Sequence, residues 1–392
     1  MKILILLSRV PHRLDKGDKL RAYYQIKELA RHHELILFAL TEEPDEIPEA
    51  TEALKKYCKH LYIFPQSKFK IARNLAHLFS NNKPAQVNYF YDPAAQEKVN
   101  KIIKTHQPDH IYCQLLRMAE YVRHVKDIPK TLDYMDAFSK GMTRRAAISS
   151  IYLNPVYTFE AKRLRKYEAE IFSEFEHKTI ISTQDRNLIA HPKNQEIAIV
   201  PNGIDTGFFH PLERVKNFEL VFAGNMSYAP NVDTAIFLAK KVLPLVLEKL
   251  PDTRLLLAGA TPSNRVLALQ NENVYVSGWM DDIREAYASA KVFVAPMSIG
   301  TGVQNKVLEA MAMQVPCIIS PLVNKGVGAT ANEHVLVGTS ASEVAAHIVN
   351  LLSDKVLAET LAANAYEFVK ENYDWGKAVG KLEAVMQGTA KN

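Results

Sequence analysis

The densest run of chemically useful residues is Pro296–Met311, reading Pro-Met-Ser-Ile-Gly-Thr-Gly-Val-Gln-Asn-Lys-Val-Leu-Glu-Ala-Met. An apolar segment, Val292–Ala295, enters a loop carrying Gly300 and Gly302, and helical spacing begins beyond it. Such a junction lies at the carboxyl end of a parallel sheet, where open α/β folds take their ligands. Glycines let a ligand come close to the backbone, and the free amides that open a helix attract phosphate. Lys306, in the first turn, adds a full positive charge; Glu309, three residues on, shares nearly the same face. A carboxylate repels phosphate but accepts hydrogen bonds from the hydroxyls of a ribose. The pair therefore suits a nucleoside diphosphate, the plainer alternative being turn glycines beside a solvated Lys/Glu face. Gly300-x-Gly302-x-x-Asn305 is also a weakened dinucleotide fingerprint, but it sits late in its domain and lacks the third glycine.

Two further strand-to-helix junctions carry glycine. One is Gly224-Asn225-Met226-Ser227-Tyr228-Ala229-Pro230-Asn231, with Pro230 suited to a helix start and Asn231 or Ser227 as candidate caps. The other is the basic run from Ser8 to Arg21, which holds Gly17. Two such mouths facing each other would form a cleft for a ligand with phosphates at its middle; a solvated loop is the alternative. Asp133-Tyr134-Met135-Asp136 ends a strand-like run and supplies a candidate base, Asp136 first and Asp133 second. Capping of a following helix is the other reading of both. Glu168, within a long helical stretch, reads as a surface residue.

These residues need a framework to position them. Lys2–Leu7, Leu35–Leu40, Leu61–Phe64, His110–Cys113, Thr179–Ser182 and Ile197–Val200 read as buried parallel strands. Helical spacing lies between most of them, as in Lys19–Arg31 and Ala94–Lys104. After Pro201 the alternation restarts with Leu220–Ala223, Arg254–Ala258, Val274–Val276, Val292–Ala295 and Pro316–Ile319. Alternating strands and helices imply parallel sheets covered on both faces, and the second start implies two of them. The hinge candidate is Val200-Pro201-Asn202-Gly203-Ile204-Asp205, and Asp374–Met386 reads as a final amphipathic helix. Residues 1–205 with 374–392 are thus expected to form one Rossmann-like domain and residues 206–373 the other.

Composition narrows the function. The chain has 392 residues, 47% hydrophobic and 23% charged, as in an ordinary globular protein. Its net charge of +5 is unevenly spread: residues 1–200 hold 32 Lys and Arg against 24 Asp and Glu, the remainder 16 against 19. A basic half suits an anionic partner, whether phosphate groups, a lipid surface or nucleic acid, unless it is only one domain's surface charge. Nucleic acid is disfavoured because no arginine-rich helix with interleaved aromatics is present. Cys58, Cys113 and Cys317 are far apart, which argues against a zinc site or a disulfide framework. The first apolar run is too short for a signal-peptide core, and no stretch approaches the roughly 20 residues of a membrane span; a cytoplasmic protein is expected. Ser67–Phe79 has an apolar stripe and a basic start, suiting either peripheral contact with an anionic membrane or an ordinary domain helix.

Several of these motifs, in order, resemble the retaining glycosyltransferases of family 4, which have the GT-B fold. They are the Val200–Asp205 run, Phe222-Ala223-Gly224-Asn225-Met226, Leu257-Ala258-Gly259, Val276-Ser277-Gly278-Trp279-Met280, and Lys306–Met313 followed by Pro316. Pro11…Gly17-Asp18-Lys19-Leu20-Arg21 and Tyr228–Asp233 are similar to the branch associated with bacterial exopolysaccharide systems. The resemblance implies two Rossmann-like domains facing across a cleft, with the C-terminal helix crossing back to the first. It implies a sugar nucleotide as co-substrate in the second domain, with no other cofactor, and a glycan or lipid-linked acceptor in the first. Donor-binding positions would be Gly17, Gly224, Asn225, Gly278, Met280, Gly300, Thr301, Gly302, Glu309 on the ribose, and the amides of Val303, Gln304 and Asn305. Thr301 stands where many members carry a glutamate on the donor sugar; Asn225 and Pro230 stand where they carry an arginine and a lysine on the diphosphate. Lys306, helped by Arg21, is the expected replacement. With no Asp-x-Asp pair in the chain, a metal-independent reaction with retention is expected. The competing readings are a catalytically silent nucleotide-binding relative and a sugar-nucleotide epimerase.

Overall fold

A computed structural model describes residues 1–14, 16–67, 69–71, 81–298 and 303–389. The chain divides into two compact units, one of Met1–Asn202 with Trp375–Asn392, the other of Gly203–Asp374. It passes from the first to the second inside the Val200–Asp205 run and returns just before the last helix, Trp375–Met386.

The first unit holds seven strands: β1 (Lys2–Leu7), β2 (Glu34–Thr41), β3 (His60–Pro65), β4 (His110–Gln114), β5 (Lys130–Asp133), β6 (His177–Ile180) and β7 (Ala198–Ile199). They lie in the order β3-β2-β1-β4-β5-β6-β7, all parallel. β1 shows why both faces are covered. Ile3, Ile5 and Leu7 enter one apolar cluster while Leu4 and Leu6 enter another, as strand alternation requires. The first of these clusters is completed by helix Gly17–Leu29 and by Trp375, Ala378, Val379, Leu382 and Met386 of the last helix. Tyr24 stacks on Trp375 with ring centroids 5.1 Å apart. The crossing back of the last helix therefore fills a face of the first sheet.

The second unit repeats the plan with β8 (Phe218–Ala223), β9 (Leu255–Ala258), β10 (Val274–Gly278), β11 (Ala290–Ala295), β12 (Cys317–Ile319) and β13 (Leu336–Val337). Their order is β10-β9-β8-β11-β12-β13, again all parallel. In both sheets the winding reverses beside the first strand, between β1 and β4 and between β8 and β11. Crevices at such switch points, beyond the carboxyl ends of the strands, are where open sheets bind ligands. The expected α/β fold with two Rossmann-like sheets is the observed one.

Some local expectations change. Ser182 is not the end of a strand; its side chain accepts from the amide of Asp185 and opens the short helix Thr183–Arg186, so β6 stops at Ile180. Neither Asn231 nor Ser227 caps helix Ala229–Phe237, whose cap position is Tyr228 with no side-chain bond. Neither Asp133 nor Asp136 caps helix Phe138–Ile148, which follows Ala137. No described helix is long and apolar enough to cross a membrane. Most of the Ser67–Phe79 stretch lies outside the described residues.

Candidate active site

In the second unit the ends of β8, β9 and β10 are tied backbone to backbone. The Gly224 amide donates to the Ala258 carbonyl at 2.9 Å, and the Gly259 amide to that of Gly278 at 3.2 Å. Gly259 has φ of +134°, and a Cβ there would stand 1.9 Å from the Gly224 carbonyl oxygen. Only glycine fits so close an approach. Gly224, with φ of +152°, has no such backbone clash; a Cβ there would meet Asn231 Nδ2 at 2.8 Å and Lys306 Nζ at 3.0 Å. Gly224 is thus the space into which those two polar side chains converge.

Lys306 reaches this point from the start of helix Asn305–Ala312, which follows β11. Its ammonium donates to Asn231 Oδ1 at 2.5 Å and lies 5.0 Å from the centre of the Phe222 ring. Burial pushes its pKa down to about 8, against the pull of Glu309. Glu309, one turn on, accepts a 2.7 Å bond from the hydroxyl of fully buried Tyr287. Burial raises the Glu309 carboxyl above the ordinary value; the Tyr287 bond and Lys306 oppose the rise. Among the described residues the ammonium makes one hydrogen bond of the three it can donate. Val307 N closes the first turn on Gln304 O, so the amides before it have no partner within the helix.

Asn225 supports this arrangement rather than adding charge. Its Oδ1 accepts from Ser227 N and Oγ and from Thr261 Oγ1, and its carbonyl accepts from Asn231 Nδ2 at 2.8 Å. Met297, buried at the end of β11, is pinned by Ser320 Oγ donating to its carbonyl at 2.6 Å. Gly278 ends β10, followed by exposed Trp279 and half-buried Met280. Val303, Gln304 and Asn305 are half-buried at the helix start. Gly300, Thr301 and Gly302 lie outside the described residues. Tyr287 and Asn231 are the members that sequence reasoning missed. Asn231 could have been read from its place after Gly224; Tyr287 sits 22 residues before its partner with no signal of its own.

In the first unit Gly17 is exposed at the first position of its helix, with nothing within 4 Å of an added Cβ. Arg21 is fully buried. Its Nε donates to Asp133 Oδ2 at 2.6 Å, Nη1 to Asn202 Oδ1 at 2.8 Å and to Pro201 O at 3.3 Å, and Nη2 to Val200 O at 3.0 Å. The expectation that Arg21 helps neutralise a diphosphate is corrected: its guanidinium is spent on the carboxyl end of β5 and on the chain leaving the unit. Asp133 is likewise unsuited to act as a base, since it is fully buried and also holds the Tyr112 hydroxyl at 2.7 Å.

Asp136 differs. Met135 has φ of +59°, and the backbone turned there carries Asp136 to an exposed position beyond β5. The surrounding protein desolvates the carboxyl enough to push it up to about 6, helped by the negative charge of Asp185. Glu168 is not a surface residue: it is fully buried and accepts from Ser139 N at 2.9 Å and Ser139 Oγ at 2.6 Å. Burial pushes it up to about 7. It serves as the anchor for the start of helix Phe138–Ile148.

Residues 217–354 match the family model of the glycosyl transferases group 1. Over 404 aligned residues the chain is 22% identical to a 44.6 kDa protein of the cps region of Klebsiella pneumoniae, covering 97% of this chain and 98% of that one. Among solved structures it is similar to HepE of Anabaena in complex with UDP and glucose, at a TM-score of 0.70 and 13% identity over 99% of this chain and 100% of that one. It is also similar to sucrose-phosphate synthase of Thermosynechococcus elongatus, at a TM-score of 0.69 and 16% identity over 99% of both chains. The fold is GT-B, and with the match over residues 217–354 the chain is a glycosyltransferase.

Proposed function

We propose that this glycosyltransferase moves a sugar from a nucleoside diphosphate sugar to a glycan or lipid-linked acceptor in the synthesis of a bacterial polysaccharide. The donor binds the unit Gly203–Asp374 and the acceptor the other. The observation that carries this reading is the half-buried ammonium of Lys306 converging on Gly224 at the carboxyl ends of β8 and β11, one turn from Glu309. When the glycosidic bond breaks, negative charge grows on the departing diphosphate. A fixed cation and the amides at the helix start stabilise that charge more than the ground state, which lowers the barrier. Glu309, held by Tyr287, accepts from the ribose hydroxyls.

The reaction is read as metal-independent, since lysine and amides supply the positive charge, and as retaining, through same-face attack assisted by the departing phosphate. Asp136, with its carboxyl pushed up to about 6, is the proposed acceptor-side base. A carboxylate with a raised pKa is a better proton acceptor than an ordinary one. The relative from a cps region supports the polysaccharide setting, and HepE with UDP and glucose makes UDP the first nucleotide to try. We place the work in the cytoplasm, at or near the inner face of the cell membrane.

Calorimetric titration with UDP, GDP, ADP and TDP, on the wild type and on Glu309→Ala, tests the donor site. Micromolar binding of one diphosphate, lost in the variant, is the expected result. Failure of all four to bind would shift the weight to a non-catalytic relative.

A further inference from the structure

The first unit carries an apolar surface that the transfer reaction does not use. Helices Phe138–Ile148 and Asn154–Phe172 pack side by side, and the turn joining them projects Ile151 and Tyr152 into solvent at 81% and 87% exposure. Leu153, Val156 and Phe159 extend this apolar surface along the second helix, all exposed. The turn is well built rather than frayed. Asn154 Nδ2 donates to Ala146 O at 2.8 Å, Ser149 Oγ donates to the same carbonyl at 2.9 Å, and the amides of Leu153 and Asn154 both donate to Ser150 O. Large apolar side chains held outward by an ordered turn indicate a surface made to be covered.

The charge around the tip indicates what covers it. Residues 138–167 contain Lys140, Arg144, Arg145, Lys162, Arg163, Arg165 and Lys166, against a single acidic residue, Glu160. Glu160 is buried and turned inward, accepting from the amides of Ala85 and Gln86. Toward its tip the hairpin is therefore positive, while further down the second helix Lys166 pairs with Glu170 at 3.6 Å. Val156, Phe159, Lys162 and Lys166 follow one another at helical spacing, so an apolar end passes into a basic shaft along one stripe. The guanidinium of Arg145 lies 5.3 Å from the Tyr157 ring centre and that of Arg163 4.3 Å from that of Phe159. Both cations ride on apolar side chains in the manner of residues at a lipid–water boundary.

We propose that this hairpin tip is a membrane-docking surface, with Ile151, Tyr152 and Leu153 entering the outer acyl region and the flanking arginines and lysines contacting anionic headgroups. A protein partner would need an acidic rim and a matching apolar pocket; a second copy would bring its own basic flank against this one, which like-charge repulsion disfavours. An anionic bilayer supplies both the apolar layer and the charge. The surface belongs to the unit proposed to bind the acceptor, and its test does not depend on the donor chemistry.

The full chain is sedimented with vesicles of phosphatidylcholine alone and with vesicles also containing phosphatidylglycerol, at low and high salt. Binding only to the anionic vesicles, weakened by salt, is expected. Replacing Ile151→Ser and Tyr152→Ser together should lower the partition coefficient at least about tenfold, with the melting transition unchanged because both side chains are exposed. Lys162→Glu with Arg165→Glu, both exposed, should abolish the preference for phosphatidylglycerol. Donor turnover with a water-soluble acceptor should be the same in all of them, which separates failure of this surface from failure of the transferase reading. Indifference of the wild type to anionic vesicles, or full binding by the serine variant, would overturn the proposal. So would a lipid-free dimer in sedimentation velocity that the serine variant dissociates, since the tip would then be an interface between copies.

Discussion

Arg21 of the first unit and Lys306 of the second are both withdrawn from bulk water, and both have a carboxylate nearby, yet they are held in different ways. Arg21 is fully buried with each of its guanidinium nitrogens bonded, one of them to Asp133 at 2.6 Å. Lys306 is half-buried, has one side-chain bond among the described residues, and its carboxylate neighbour Glu309 is instead hydrogen-bonded by Tyr287. Against the lowering effect of burial, Asp133 raises the pKa of the arginine and keeps it charged, whereas burial pushes the lysine down to about 8. A buried charge with all its donors satisfied is part of the scaffold. One left short of partners is where an anionic ligand gains most by arriving.

The contrast predicts different failures on truncation. Arg21→Ala strands Asp133 without its cation and should cost about 3–5 kcal/mol of stability, read by urea unfolding. Lys306→Ala should leave unfolding nearly unchanged while slowing transfer by about 3–4 kcal/mol, on the order of a hundredfold or more. A stable but inactive Arg21 variant, or a fully active Lys306 variant, would break the comparison.

Gly259→Ala should act on the second site through its floor. With the new Cβ driven against the Gly224 carbonyl, the strand ends must part, for about 1–3 kcal/mol of stability. Weaker diphosphate binding should accompany the loss in the same titrations. The titration of Lys306 sharpens the contrast further. Its folded value of about 8 lies below its unfolded one, so between them the unfolded chain binds more protons and stability rises with pH. A bound diphosphate restores the ammonium, so binding slightly above pH 8 should take up a proton. Calorimetry in buffers of unequal ionisation heat would show this, and uptake should vanish in Lys306→Ala. The smallest effect belongs to Gly17→Ala, expected within about 0.5 kcal/mol and without change in donor affinity. Marked loss of donor binding there would instead support Gly17 as a donor-binding position.

The long elements were legible because burial on both faces demands nearly unbroken apolar runs, as in Lys2–Leu7 and Phe218–Ala223. β13, with two residues, carries no pattern long enough to read. At the site, Lys306, Gly224 and Glu309 could be picked out because each lies beside a strand-to-helix junction. The commitment of Arg21 to Asp133 could not, since it joins positions 112 residues apart. Charge type marks a residue as capable of chemistry, and only its partners reveal whether that capacity is already used. Glu168 shows the reverse error: a carboxylate in a charged helix reads as solvated until the helix is seen to turn it inward onto Ser139.

The return of Trp375–Met386 to the first sheet has a consequence for biogenesis. Synthesis runs from the N-terminus, and domains ordinarily fold in that order. Here the cluster containing Ile3, Ile5 and Leu7 lacks five of its buried side chains until residue 386 has left the ribosome. The unit Gly203–Asp374 is continuous in the chain and can finish earlier. The half that begins first is therefore the last to be sealed, and a nascent chain stalled before Trp375 exposes an open apolar face to whatever chaperone is at hand.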